Sequence, residues 1–124
     1  MAAALIALSW PVALAAAQGA KATYDTNEAG PLTLEFGPDN TVTGEYPDYG
    51  GHLKGKLQGN DRIDGEWWQA KGYSDDEKCD AEHNGTHYWG KFTLLENADH
   101  KGFHGMWGNC DKDPSDPWSG TLKQ

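Results

Sequence analysis

Two cysteines and two histidines are the residues whose types and spacing could bind a metal or form a covalent cross-link. Cys79, His83 and His87 follow one another at intervals of four residues, and Cys110 lies further along the chain. Two thiolates and two imidazoles are a ligand set that suits zinc. However, the segment contains an Asn-Gly pair and has loop character, and a pair of cysteines in a secreted chain usually forms a disulfide. We therefore expect a Cys79–Cys110 disulfide and no metal or cofactor.

Carboxylates and hydroxyls offer other chemistry, which the sequence supports less well. Three aspartates of one short segment could ligate calcium: Asp111, Asp113 and Asp116. Pro114 and the absence of the required glycine break the EF-hand spacing. The serines lie in no nucleophile-elbow motif. An enzyme that uses His83 or His87 with a carboxylate of the 108–116 segment is kept as an alternative.

Large apolar residues recur around glycines, and this pattern defines the elements that must position any site. The unit is apolar-x-Gly-x-apolar, and it is centred on Gly44, Gly55, Gly65, Gly90, Gly105 and Gly120. Such alternation is typical of strands, turn residues separate the runs, and no segment shows helical periodicity. We predict eight strands, at residues 22–26, 31–36, 41–46, 52–58, 61–68, 86–95, 101–107 and 117–123.

Most links between these strands are short, so consecutive strands must pair antiparallel. One face is wholly apolar and must be buried, and no helix is available to cover it. We therefore predict an all-β fold, an eight-stranded antiparallel up-and-down meander that closes as a small barrel, with a strongly curled open meander as the alternative. Placing the glycines in one row predicts four charged cross-strand pairs: Glu45–Lys54, Lys54–Glu66, Lys56–Asp64 and Asp64–Lys91.

Three resemblances accompany this pattern. The runs Tyr24-Asp25-Thr26 and Gly105-Met106-Trp107-Gly108-Asn109-Cys110 resemble a bacterial secreted β-meander domain of largely undefined function. The glycine-aromatic rhythm is similar to MORN repeats, but its spacing is too uneven for an array. The first three strands resemble the avidin family, and Tyr46 matches that family's ligand-binding tyrosine. Asp48 and Thr26 replace two other binding residues of that family, so the resemblance implies a barrel fold and not biotin binding.

The direction of the strands indicates one end of the barrel as the binding site. The two long connections, 69–85 and 108–116, emerge at the same end as the larger aromatic residues, and the expected disulfide would join them there. Barrels usually bind small ligands at a mouth. The predicted ligand-binding residues at this mouth are Tyr46, Asp48, Tyr49, Trp67, Tyr88, Trp107 and Trp118. The alternative is that these aromatic side chains simply fill the barrel.

A second candidate is a surface patch on the outer face of the sheet. The same register brings two tryptophans together there, with a histidine and a methionine nearby: Trp68, His87, Trp89 and Met106. An exposed apolar patch of this kind marks a contact with a sugar or a protein. The alternative is that the long 69–85 connection folds down and covers it.

The composition limits the function and the compartment. Residues 1–22 read as a signal peptide with a short apolar run and an Ala-rich end, which leaves 23–124 as a single domain. The net charge of −9 argues against nucleic acid and anionic lipid as partners. We predict a secreted or periplasmic binding module, with no membrane span, for a small apolar or aromatic molecule, a glycan or a secreted protein. The alternatives are a small secreted enzyme of hydrolase or lyase type and a structural envelope domain, and the oligomeric state is left open.

Overall fold

A computed structural model describes Trp10, residues 19–59 and residues 61–123 of the chain. Its strands are β1 (Ala20–Thr26), β2 (Pro31–Phe36), β3 (Thr41–Tyr46), β4 (Gly51–Gln58), β5 (Arg62–Gln69), β6 (Tyr88–Glu96), β7 (Gly102–Trp107) and β8 (Asp116–Leu122). Each strand pairs with its neighbour in sequence and β8 pairs with β1, which closes the barrel. The predicted eight-stranded up-and-down barrel is confirmed. Among the described residues, no helix reaches the length and hydropathy that crossing a bilayer requires.

The seam between β1 and β8 is shorter than the other pairings and is reinforced by one side chain. Three residue pairs form it, from Tyr24 opposite Leu122 to Thr26 opposite Gly120. Just beyond it, Asn27 Oδ1 accepts a hydrogen bond of 2.8 Å from the backbone N–H of Ser119. The Asn27 amide also donates to Pro117 O at 3.3 Å. The pairing of β8 with β1 leaves neither of these two strands as an open sheet edge.

The glycines do not form the single row that the sequence pattern indicated. Gly55 lies opposite Gly65, but Gly44 faces Leu53, Gly90 faces Trp67 and Gly120 faces Phe103. The pairs Lys54–Glu66 and Lys56–Asp64 are cross-strand neighbours as predicted. The two others are wrong, because Glu45 lies opposite His52 and Asp64 lies opposite Thr93.

The displacement of the glycines from a single row has both a geometric and a steric cause. Strands in a closed barrel are staggered, so a feature at one height on a strand does not stay level around the sheet. The stagger places glycines beneath large rings. A Cβ atom at Gly120 would lie 2.5 Å from the Phe103 ring, and one at Gly90 would lie 2.8 Å from the Trp67 ring and 1.8 Å from Gly108 O. The glycines therefore make room for side chains that lean across from the neighbouring strand.

The interior is a continuous apolar core that extends to the end opposite the two long loops. Trp10 is 1 % exposed there and packs against Tyr24, Phe36 and Phe103, with ring centroids 6.0–6.4 Å apart. The Tyr24 hydroxyl and the Trp10 indole nitrogen are buried without a partner among the described residues. Burial, with a smaller contribution from the Glu96 carboxylate, raises the pKa of Tyr24. This end of the barrel is closed by aromatic packing.

Two observations bear on the predicted boundary between the leader and the domain. Strand β1 starts at Ala20, and Ala22 is buried opposite Leu34, so the barrel begins before residue 23. Trp10, inside the predicted leader, belongs to the core. Residues 1–9 and 11–18 lie outside the described residues, and the signal peptide therefore stays a prediction.

Candidate functional site

A cavity of about 410 Å³ opens at the end of the barrel where β1, β3, β5 and β7 finish. Strands and loops both contribute to its wall, which is formed by Glu28, Ala29, Tyr46, Tyr49, Trp67, Gln69, Tyr73, Glu77, Trp107, Asn109 and Trp118. Five of the seven side chains predicted to form a mouth site are among them: Tyr46, Tyr49, Trp67, Trp107 and Trp118. The structure thus brings these five together around open space, and their role in binding stays a prediction.

Two pairs of perpendicular rings build the aromatic part of the wall. Tyr46 packs edge-on against Trp118 at 5.9 Å and 80°. Trp67 packs against Trp107 at 5.8 Å and 83°. Edge-to-face packing of this kind is favourable in itself. This packing also restrains each ring against its partner and so fixes the position of the aromatic part of the cavity wall.

The polar atoms of the wall differ in whether they have partners. The Tyr46 hydroxyl donates to Gln69 Oε1 at 2.9 Å, and burial raises the pKa of this phenol. The Trp67 indole N–H donates to Gly108 O at 3.0 Å. The indole nitrogens of Trp107 and Trp118 are buried and have no acceptor among the described residues. Two of the tryptophans that line the cavity therefore carry indole N–H groups that have no acceptor in the described part of the chain and that solvent does not reach.

The loops add acidic and amide groups to this aromatic wall. The β1–β2 loop supplies Glu28, and the β5–β6 loop supplies Tyr73 and Glu77. Glu77 Oε1 accepts a hydrogen bond of 2.8 Å from the backbone N–H of Tyr73, whose own side chain is 82 % exposed. The β7–β8 loop supplies Asn109. None of the lining residues of the described chain is basic.

A disulfide between Cys79 and Cys110 joins the two long loops, as the sequence predicted. The two Cα atoms are 5.5 Å apart. The backbone N–H of Cys110 donates to Trp89 O, and that of Cys79 donates to His87 O, both at 2.8 Å. The cross-link holds the loops that carry Glu77 and Asn109 at the mouth.

Two of the predicted mouth residues do not line the cavity. Tyr88 lies over Gly72, where an added Cβ would be 2.4 Å from its ring, and its hydroxyl reaches Asp75 at 3.4 Å. The Asp48 carboxylate packs near Gly30 on the rim. Conversely, sequence reasoning missed Gln69, although it follows Trp67 by two residues and so points to the same face. The loop residues Glu28, Tyr73, Glu77 and Asn109 carry no periodic signal that could have indicated them.

The outer patch does not form an exposed pair of tryptophans. Trp89 is 2 % exposed because the 79–86 segment covers it. The His83 ring stacks on it at 3.5 Å and 5°, and its indole N–H donates to Ala81 O at 2.9 Å. Trp68 instead stacks on His52 at 5.7 Å, and Met106 remains half exposed. The 79–86 segment therefore covers Trp89, whereas Trp68 is half-buried and His87 and Met106 are exposed. A role of these four residues in binding stays a prediction.

The histidines considered for catalysis or zinc binding have structural contacts away from the cavity. His83 Nδ1 lies 2.9 Å from Glu66 Oε2, and His87 Nδ1 lies 2.9 Å from Cys79 O. Both cysteines are oxidised in the disulfide. Within the described ranges no group of three His, Cys, Asp or Glu side chains is placed to hold a metal ion.

Comparisons with protein-family models, with curated proteins and with solved structures find no match to this chain. The site must therefore be interpreted from its own geometry.

Proposed function

We propose that the protein is a secreted or periplasmic binding module that holds a small molecule with an apolar or aromatic body in the cavity at the barrel mouth. The observation that supports this most is the pair of buried, unpartnered indole N–H groups of Trp107 and Trp118 in an aromatic wall. A buried donor without an acceptor costs about 1–3 kcal/mol. An oxygen or nitrogen acceptor on a ligand would recover that free energy once the two rings shift to turn their N–H groups toward it, because solvent does not reach these nitrogens in the structure.

The size and shape of the cavity favour a small molecule over a protein surface. Its volume of about 410 Å³ lies within the range of small-molecule sites, which is roughly 300–1,000 Å³. It is concave and lined by rings, whereas on the outer face the 79–86 segment covers Trp89, one of the two tryptophans of the predicted surface patch. A single sugar ring also fits this description, and it is the second ligand type to test.

The cross-link supports the proposed compartment. Cys79 and Cys110 form a disulfide, and such bonds persist in oxidising compartments such as the periplasm or the extracellular space. Among the lining residues of the described chain there is no serine, cysteine or histidine, and of the two carboxylates, Glu28 and Glu77, the second already accepts a hydrogen bond from the Tyr73 backbone. Binding therefore explains the cavity with fewer assumptions than catalysis.

The test is an NMR titration that observes the indole N–H signals of ¹⁵N-labelled protein. The probes are benzamide, anisole and methyl glucoside, which combine an acceptor with a flat or apolar face. We expect a binding probe to shift the signals of Trp107 and Trp118 and to leave Trp68 and Trp89 unchanged. The proposal is refuted if no probe shifts the signals at the mouth, or if the largest shifts come from Trp68 and Trp89.

A matched pair of variants separates the N–H groups from the rings. Trp118→Phe keeps an aromatic ring at the wall and removes one donor, so affinity for the acceptor-bearing probe should fall by about tenfold. Trp68→Phe makes the same change on the outer face and should leave affinity unaltered. Equal effects of the two variants would place the binding outside the cavity.

A further inference from the structure

The loops at the mouth of the barrel carry a larger net negative charge than those at the opposite end. The four loops at the mouth, residues 27–30, 47–50, 70–87 and 108–115, carry nine carboxylates and three lysines. The three loops at the other end, residues 37–40, 59–61 and 97–101, carry three carboxylates and one lysine. Loops of one sign around a cleft raise the local concentration of ligands of the opposite sign. The mouth should attract cations and repel anions.

The cavity wall is negatively charged as well. Glu28 and Glu77 line the cavity, and the lining residues within the described part of the chain include no lysine, arginine or histidine. Glu77 is held by its hydrogen bond from the Tyr73 backbone, so its carboxylate is fixed in position at the rim. An anionic ligand would enter this site against fixed negative charge.

The aromatic walls are suited to a positive charge. Tyr46, Trp67, Trp107 and Trp118 meet in two perpendicular pairs, and the faces of such rings carry negative potential. Cations placed over aromatic faces are bound by about 0.5–2 kcal/mol, most strongly when the site excludes water. A metal ion would need several oxygen or nitrogen ligands, and within the described ranges no such group is present. The walls therefore suit an organic cation.

From these observations we infer that the ligand is an organic ammonium compound, with its positive charge among the rings and the two rim carboxylates, and with an oxygen that accepts from the indole N–H groups. The inference rests on the proposed function, because it specifies the ligand of the same cavity. It adds the sign of the ligand's charge, which the proposed function did not specify.

The test compares choline with 3,3-dimethylbutan-1-ol, which has the same shape and hydroxyl group but no charge. Binding to the full-length protein is measured by calorimetry and by the indole signals of Trp107 and Trp118. We expect choline to bind at least about tenfold more tightly, with an affinity that falls as salt is added. Equal binding of the two compounds, or tighter binding of the alcohol, overturns the charge inference and leaves the proposed function standing. If neither compound binds while the neutral probes of the earlier titration do, the inference also fails alone; if no compound binds, both fail.

Two double variants of equal net charge complete the test. Glu28→Gln with Glu77→Gln removes both carboxylates from the wall and should weaken choline binding by about tenfold, while binding of the alcohol stays the same. Asp39→Asn with Asp61→Asn removes two carboxylates at the opposite end and should change neither. If the two double variants weaken choline binding equally, only the overall charge matters and the assignment to the mouth is wrong.

Discussion

Removal of the disulfide is the perturbation whose effect can be worked out most directly from the structure. Cys79 and Cys110 are separated by 31 residues in sequence. In the chain-entropy model, opening a loop of this length gives the unfolded chain about 12 cal/mol/K, which at 25 °C corresponds to about 3.7 kcal/mol. The Cys79→Ser, Cys110→Ser double variant should lose about this much free energy of unfolding.

The assay is urea unfolding followed by tryptophan fluorescence, with the oxidised parent, the reduced parent and the double variant measured side by side. The midpoint should fall while the fluorescence of the folded state stays close to that of the parent, because the eight strands are paired independently of the cross-link. In the double variant the loop that carries Tyr73 and Glu77 loses its cross-link to the β7–β8 loop. Ligand affinity should therefore fall in the double variant, although the aromatic side chains of the cavity wall are unchanged.

Two results would refute this reasoning. A loss below about 1 kcal/mol would mean that the loops are held in the unfolded chain or in the barrel by something other than the cross-link. Recovery of two free thiols per folded molecule, purified from an oxidising compartment, would mean that the bond does not form at all. A single variant, Cys79→Ser, is an unsuitable substitute because it leaves a reactive thiol at Cys110.

Three further predictions concern packing, closure and pH. Gly90→Ala places a Cβ against Gly108 O and the Trp67 ring and should cost about 2–3 kcal/mol in urea unfolding, whereas Gly37→Ala, whose nearest contact would be 3.6 Å, should be nearly neutral. Asn27→Ala removes the side-chain bonds at the β1–β8 seam and should cost about 1 kcal/mol and speed hydrogen exchange there first; uniform exchange across the barrel would contradict it. Burial raises the pKa of Glu96, an effect that the hydrogen bond with His100 only partly offsets. Because its folded pKa exceeds its unfolded pKa, the fold is penalised as pH rises through the folded value, and stability is greater below the unfolded value. Unfolding curves of Glu96→Gln should show less loss of stability with rising pH than the parent; parallel curves would contradict this.

The sequence was most informative where side-chain alternation controls structure. The strand positions, the apolar interior and the inward direction of Tyr46, Trp67 and Trp118 all follow from a period of two. The stagger between strands could not be obtained in this way, because shifting a pair by two residues preserves the alternation and only changes which side chains meet. Gly44 opposite Leu53 is such a case.

The alternation of side chains could not predict the conformation of the loops either. The 70–87 connection has no periodicity, and its path decides two features at once. It places Tyr73 and Glu77 at the cavity, and it lays His83 flat on Trp89. A sequence shows that Trp89 faces outward but not that a histidine six residues earlier covers it. At this position the covering ring, rather than the sheet, therefore forms the outer surface.

Because Trp10 belongs to the core, the free energy of unfolding would report whether the predicted leader has been cleaved. The same tryptophan lies in the predicted leader and in the closed end of the core, where it packs on Tyr24, Phe36 and Phe103. A chain cut before Ala20 would exchange this indole for empty space or water beside the Tyr24 hydroxyl, at a cost on the order of 3–5 kcal/mol if nothing refills the space. An uncut precursor would then be the more stable form, and cleavage would leave a space beside Tyr24, Phe36 and Phe103 at the closed end of the barrel.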